Sequence, residues 1–422
     1  MNSTERELEA VPEEVVPRRR STVLDTFRFH DFRLLWGGLL VSNLGTWMQF
    51  TTLGYVVVKL AGSAAQASLD VGILGACNAV PALLLSPVAG VVADRFPRRR
   101  VLLVTNLAIS SVALALALIA TAGGLHLWQI FALSSLRASA QAFDSPARQS
   151  WVPLMVPRAY VGNAIGLNSL AFNLPSVVGP PLAGFLILWT GTAAAFYVNA
   201  VATLAVVAAL LGMRPPPPSS MRREPMLASI VDGVRFLFRH PVLRSVLVVL
   251  IVTCVCVRPY SQLLPAYAAH VVKVDARGLG FLFAATGSGA ICGSILTAIV
   301  GARKRATVWF ASAALMSVGT IVLGFVHVYA VALGVLVVVG LSVMSFAGSS
   351  NVLMQTLSPD DMRGRAISVF TMIILGLVPL GSLALGSFAT VVGLPVALSS
   401  GGALALVAAT TVYLFDAELR AA

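Results

Sequence analysis

Apolar residues in this chain come in runs of about twenty, not in alternation. Examples lie at 101–122, 194–213, 242–257 and 321–344. As a helix, about 20 apolar residues match the roughly 30 Å hydrocarbon core of a bilayer. A membrane strand would alternate over about ten residues, and these runs do not. The pattern predicts twelve spans, at 34–58, 69–92, 101–121, 127–146, 162–187, 192–212, 244–269, 279–300, 306–326, 329–354, 366–390 and 394–415. One connection is much longer than the rest and begins "RPPPPSSMRRE". Its prolines cannot continue a helix. The stretch after them, "MLASIVDGVRFLFRH", puts Leu227, Ile230, Val231, Val234 and Phe238 at helical spacing. Arg235 and Arg239 fall on another face, as in an amphipathic helix on a membrane surface. The predicted fold class is an all-α membrane protein of twelve transmembrane helices in two six-helix halves. Its parts are an arm at 1–33, a bundle at 34–213, a linker at 214–243, a second bundle at 244–415 and a tail at 416–422.

The halves carry a faint repeat. A shift of 202 residues lays Pro157 on Pro359, Gly162 on Gly364, Ala164 on Ala366 and Ile165 on Ile367. It also lays Gly179 on Gly381 and Gly184 on Gly386. Parallel six-helix repeats are the plan of one large transporter fold.

Charge fixes the expected orientation. Of 29 Lys and Arg, 24 fall in the termini and the connections on one side, counting Arg244 at the mouth of the seventh span. Lys59, Lys273 and Arg277 are on the other side, and Arg137 and Arg258 lie inside spans. The positive-inside bias then makes both termini cytoplasmic, in a multi-pass protein of the inner (plasma) membrane. It also accounts for the net charge of +12 without nucleic acid. Only 11% of residues are charged, against about 25% in soluble domains. The four cysteines all lie in spans, and Cys254 and Cys256 point to different sides of a helix. The five histidines are scattered. No metal site, cofactor or nucleophile–base pair is expected, so the chain does not read as an enzyme. The polar, mixed-charge residues ahead of the first span are not expected to act as a cleavable signal. The arm is expected to be disordered to about residue 24, and "DTFRFHDFRLLW" to form a short interfacial helix.

Three motifs carry more. The turn after span two reads "GVVADRFPRRRV". Gly90, Asp94, Arg95, Arg98 and Arg99 there resemble the signature between spans two and three of the major facilitator superfamily, with Pro97 where that family usually has Gly. The resemblance implies a cytoplasmic latch. In span five, Gly166, Pro175 and "GPPLAG" resemble the Gly-Pro motif of proton-coupled exporters, with Pro175 and Ala183 in place of Gly. Pro175, Gly179, Pro180 and Gly184 are then a candidate hinge. "HDFRLLWGG" and "DSPARQSWVPLMVP" are similar to the branch that includes the enterobactin exporter and related drug and siderophore exporters.

Charge within a bilayer marks function by default. The resemblance links Arg137 in span four to proton coupling, although Ala140 stands where Gln is usual and Gln141 follows one later. Arg258 precedes Pro259, and Pro265 follows, so the outer part of span seven should bend and present Tyr260 and Gln262. Span one adds Asn43, Thr46, Trp47 and Gln49. The resemblance implies that spans one, four, seven and ten line a central cavity; helix-to-helix hydrogen bonding is the alternative. No acid falls mid-membrane; Asp70, at the outer end of span two, is the candidate proton site, with Lys59 nearby and an N-cap role as its alternative. Asp94 and Asp144 are cytoplasmic alternatives. The expected function is export of a small amphipathic molecule, of drug or siderophore class, by a monomer using proton antiport and alternating access. An importer or a lipid translocator on the same fold remains the alternative.

Overall fold

The computed structural model describes residues 23–213, 226–299 and 305–421, and every regular element there is helical. The expectations for the arm ahead of residue 23 and for the proline run of the linker lie outside these residues. A 3-10 turn, Val23–Arg28, leads into six long helices. They are α1 His30–Leu60, α2 Ala64–Arg95, α3 Arg98–Thr121, α4 Leu127–Trp151, α5 Val161–Thr190 and α6 Thr192–Gly212. The linker helix α7, Met226–Arg239, comes next. Then follow α8 Pro241–Cys256, α9 Tyr260–Tyr267 with a π turn at Ala268–Val272, and α10 Ala276–Ile299. Last are α11 Arg305–Phe325, α12 Tyr329–Leu357, α13 Asp360–Val392, α14 Leu394–Phe415 and the short α15 Ala417–Ala421.

Among the described residues, ten segments are long and apolar enough to cross a membrane, with Pro241–Val272 counted as one. The helices α1 and α4 have the length without the apolarity. The first carries Ser42, Asn43, Thr46, Gln49, Thr51 and Thr52, and the second Arg137, Gln141 and Asp144. Three of the α1 hydroxyls (Thr46, Thr51, Thr52) donate to carbonyls one turn back and so hide inside the helix.

Lipid tails are as apolar as the helices, so close backbone packing has to drive association. Small residues permit it. Gly289 and Gly293 of α10 rest on the α12 backbone at Val337 and Leu341, and Gly340 of α12 rests on Thr286. A Cβ at any of the three would overlap backbone atoms. The positions paired by the 202-residue shift make corresponding contacts. Gly179 packs on Leu44 and Trp47 of α1, and Gly381 on Cys254 and Val255 of α8. Gly184 packs on Ala276 at the start of α10, and Gly386 on Ser68 near the start of α2.

Two of these helix pairs separate along their length. On α5, Ser176, Val177, Pro180, Pro181 and Gly184 meet α10 at Ala276, Gly280 and Gly287. Helical periodicity carries that face back to Gly162, Gly166, Ser169 and Leu170, and all four are exposed. On α13, Gly376, Ser382 and Gly386 meet α2 at Leu83, Gly72 and Ser68, while Thr371, Ser368 and Gly364 on the continuing face are exposed. The bundle is thus closed at one end, here called the far end. A cleft opens toward the other, which holds the α2–α3 turn and α7.

Polar contacts secure the helix ends. Ser63 caps α2 by accepting from the Gln66 N–H at 3.1 Å. Asp275 caps α10 by accepting from the Gly278 N–H at 3.0 Å. Partial burial works to raise the Asp275 pKa, but that N–H and the Arg277 guanidinium outweigh it and hold the carboxyl below its usual range. The linker helix α7 rests on α13, with Gly233 against the Arg365 backbone, Leu237 fully buried, and Asp232 3.4 Å from Arg365. The expected interfacial segment is anchored through Phe27, which packs on Trp36 at 4.9 Å, and Phe29, which packs on Tyr160 at 5.3 Å.

Overpacking a helix contact costs about 1–3 kcal/mol. Gly340→Val should therefore lower the melting temperature in detergent by several degrees. Gly334→Val, with open space around its Cβ, should leave it unchanged.

Candidate functional site

Arg137 sits mid-way along α4 and is answered by α2. Its Nη2 donates to Asn78 Oδ1 at 2.8 Å. Its Nε is buried and has no partner among the described residues. Ser134, one turn earlier, is also buried with an unpartnered hydroxyl. Asn78 is held in turn by donating to the Leu74 carbonyl at 2.7 Å. An unpaired buried donor costs about 1–3 kcal/mol, more when charged. One neutral acceptor therefore leaves the guanidinium short of partners.

The second arginine sits at a break. The N–H groups of Val257 and Arg258 both donate to the Thr253 carbonyl, at 3.0 and 2.9 Å. Pro259 has no N–H to offer, and α9 starts afresh at Tyr260. Arg258 Nη1 is buried and unpartnered. Tyr260 is buried beside Thr286 of α10. Gln262 Oε1 and Ser382 Oγ lie against Gly75 of α2. Gly75 and Asn78 are about 4.5 Å apart along the helix axis. Neighbouring positions of α2 thus meet Arg137 at Asn78, and Gln262 and Ser382 at Gly75.

The other predicted cavity residues are placed differently. Asn43 is buried and donates to the Ala171 carbonyl of α5 at 3.0 Å. Gln49 is buried and accepts from Asn199 of α6 at 2.6 Å. Both make the helix-to-helix bonds weighed as the alternative. Trp47 is half-buried beside Gly179 and leads an aromatic run to Phe50 and Phe283 at 5.5 and 5.6 Å. Gln141 turns toward Asp144 and Ser145, at 3.5 and 3.4 Å.

Asp70 is not the N-cap of α2, because Ser63 takes that position. It is 2% exposed, within the second turn. Its Oδ1 accepts from Gln66 at 2.8 Å, and its Oδ2 is buried without a partner. No ion pair joins it to Lys59 among the described residues.

At the α2–α3 turn, Arg99 donates to the Leu210 and Leu211 carbonyls at 2.8 and 3.0 Å. That satisfies the C-terminus of α6 and its negative dipole end. Arg95 is exposed, while Gly90 and Arg98 are half-buried. The Asp94 side chain, on which the latch reading rests, lies outside the described residues. The hinge residues Pro175, Gly179, Pro180 and Gly184 sit inside one unbroken helix, all buried.

Asp144, a cytoplasmic alternative for the proton site in the sequence, lies in a buried cluster whose other members the sequence did not single out. Asp144 accepts from Asn106 at 2.7 Å and Thr105 at 3.2 Å, and its other oxygen lies 3.3 Å from Arg148. Arg148 also covers the Phe172 ring at 5.2 Å. The cluster ties α3, α4 and α5 near the open end. Its carboxylate is well satisfied, unlike Asp70. Among the described residues, no group of His, Cys, Asp and Glu is placed to hold a metal ion.

A family model described as transmembrane secretion effector matches residues 21–421. The chain belongs to that family, within the major facilitator superfamily. Members of the superfamily are transporters of small molecules embedded in a membrane, not enzymes. Two curated relatives of this major facilitator protein span nearly its whole length. The multidrug efflux pump Tap of Mycolicibacterium fortuitum is 28% identical, over 84% of this chain and 88% of the pump. The staphyloferrin A transporter of Staphylococcus aureus is 23% identical, over 89% of this chain and 94% of the transporter. Among solved structures, a bacterial homologue of the human lysosomal transporter Spinster, inward-facing and unoccupied, superposes with a TM-score of 0.70. It is 15% identical and covers 91% of this chain and 96% of its own.

If Asn78 answers Arg137, then Asn78→Leu should cost about 1–3 kcal/mol. It should cost much less in an Arg137→Met background. Denaturation of the four proteins in detergent measures the coupling; additive effects would mean the pair does not interact.

Proposed function

We propose that this transporter exports a small amphipathic molecule, with twelve spans arranged as two six-helix halves that rock about a central site. The observation that carries this reading is the cleft. It is closed at the far end and open at the end holding α7, and two arginines with unpartnered buried nitrogens belong to opposite halves. Such nitrogens suit a ligand that brings acceptors. A hydrophobic body with a carboxylate, phenolate or carbonyl group would replace the missing hydrogen bonds. Efflux and siderophore transport in the names of relatives agree with this cargo class.

The open end is taken as cytoplasmic, because the Lys and Arg bias lies there. That makes this arrangement the loading state of an exporter. Asp70 is the proposed proton site. It has one oxygen unanswered and lies on α2, the helix that also carries Asn78 and Gly75. Its face of α2 is distinct from the Gly72 and Gly75 face packed on α13, so protonation would be felt across α2 as the far end opens.

Inverted membrane vesicles acidified by respiration test the coupling. Addition of a transported compound should discharge the pH gradient in the wild type and not in Asp70→Asn. Labelled compound that still accumulates with no proton movement would remove the antiport proposal. Uptake in right-side-out vesicles, or phospholipid movement alone, would turn the reading to an importer or a lipid translocator. For an anionic compound, Arg258→Ala should cut the rate about tenfold, the value of roughly one charge-assisted hydrogen bond.

A further inference from the structure

A second site lies away from the central cleft. The α2–α3 turn, α3 and α4 enclose a groove of about 740 Å³ on the flank of the bundle. Val104, Ala108 and Val112 of α3 and Leu136, Ala140 and Phe143 of α4 form its walls. It opens where lipid would lie: Val104 is 67% exposed and Leu136 is 56% exposed.

The groove's polar groups are already used. The Thr105 hydroxyl donates to the Leu102 carbonyl and Asp144, Ser111 to the Leu107 carbonyl, and Ser139 to the Ser135 carbonyl. The walls therefore answer no hydrogen bond of an occupant, and a ligand with polar groups along its body would leave them unsatisfied. The one charged group in the lining, Arg100, stands at the end of the groove beside Phe96. Exposed Arg95 is close by in the same turn. From Arg100 to Ala115, the far limit of the α3 wall, the helix rises about 22 Å. That exceeds half of a hydrocarbon core of about 30 Å. The groove thus runs from the charged membrane surface past the midplane. Its chemistry is that of a hydrocarbon chain with an anionic end.

We propose that this groove holds one acyl chain of an anionic phospholipid, with its phosphate at Arg100. Guanidinium groups bind phosphate in a fixed bidentate geometry, and basic residues at a membrane surface favour anionic lipid. The lipid lies against α4, on a face next to the one that carries Arg137. It is a bound component of the fold rather than cargo.

The full-length protein, purified in detergent, is mixed with equal phosphatidylglycerol and phosphatidylcholine, and retained lipid is read by native mass spectrometry. This readout needs no transport, so it stands or falls apart from the exporter reading. The wild type should retain phosphatidylglycerol with a preference of about fivefold, the effect of one basic residue at the surface. Arg100→Gln should bind both lipids equally. Ser111→Trp, which fills the groove from an exposed position, should retain neither, with its melting temperature unchanged in lipid-free detergent. Equal retention by the wild type, or an undiminished preference in Arg100→Gln, would overturn the headgroup assignment. Full retention by Ser111→Trp would overturn the groove itself, as would displacement of the lipid by an amphiphile that has no acyl chain.

Discussion

Hydrocarbon offers no hydrogen bond, so every polar group that this chain buries must be answered from within the protein. The helices meet that demand for the backbone. Serine and threonine meet it for themselves by donating to carbonyls a turn earlier. Longer polar side chains need a neighbour, and most have one: Asn43 takes Ala171, Gln49 takes Asn199, and Asp144 takes Asn106, Thr105 and Arg148. Against that rule stand the unanswered atoms of Arg137, Arg258, Asp70 and Ser134, together with Thr26, Ser358, and the Gln49 Nε2 and Asn199 Oδ1 that the single Gln49–Asn199 bond leaves unmet. A membrane protein retains such atoms where a ligand, a proton or water completes them.

The same constraint shapes how the helices meet. With lipid competing on equal terms for apolar side chains, close backbone approach is the main attraction left. Glycine supplies it at Gly184, Gly280, Gly386 and Gly72, where α5 meets α10 and α2 meets α13 at the far end. Further along these helices the same faces carry exposed Gly, Ser and Thr. These contacts are tight, but they stop short of the open end of each helix pair. That geometry suits a contact that forms in one arrangement and breaks in another.

Much of this was legible in the sequence because the signals are local. Run length and the Lys/Arg bias need no tertiary information. The spacing of Gly179 and Gly184 against Gly381 and Gly386 pointed to corresponding packing positions. Arg137 and Arg258 were visible as charges in apolar runs. Partners were not legible, because they depend on which helix faces which. Asn78 was available as a polar residue in an apolar stretch of α2, yet only the α2–α4 packing makes it the acceptor for Arg137. Asn43 and Gln49 looked like cavity residues because their polarity was plain and their rotation about α1 was not. Arg99 read as part of a signature, whereas its position places it on the last carbonyls of α6.

The central claim is that the far end, closed here, has to open for cargo to leave. Phe185 of α5 and Phe281 of α10 face each other there, with ring centroids 6.1 Å apart. Cysteines at these two positions, in a protein lacking its native cysteines, can be joined by a short reducible thiol crosslinker. Export into inverted vesicles should stop on crosslinking and return on reduction, while either single cysteine stays active after the same treatment. Export that continues at the uncrosslinked rate through a fully joined far end would contradict the mechanism.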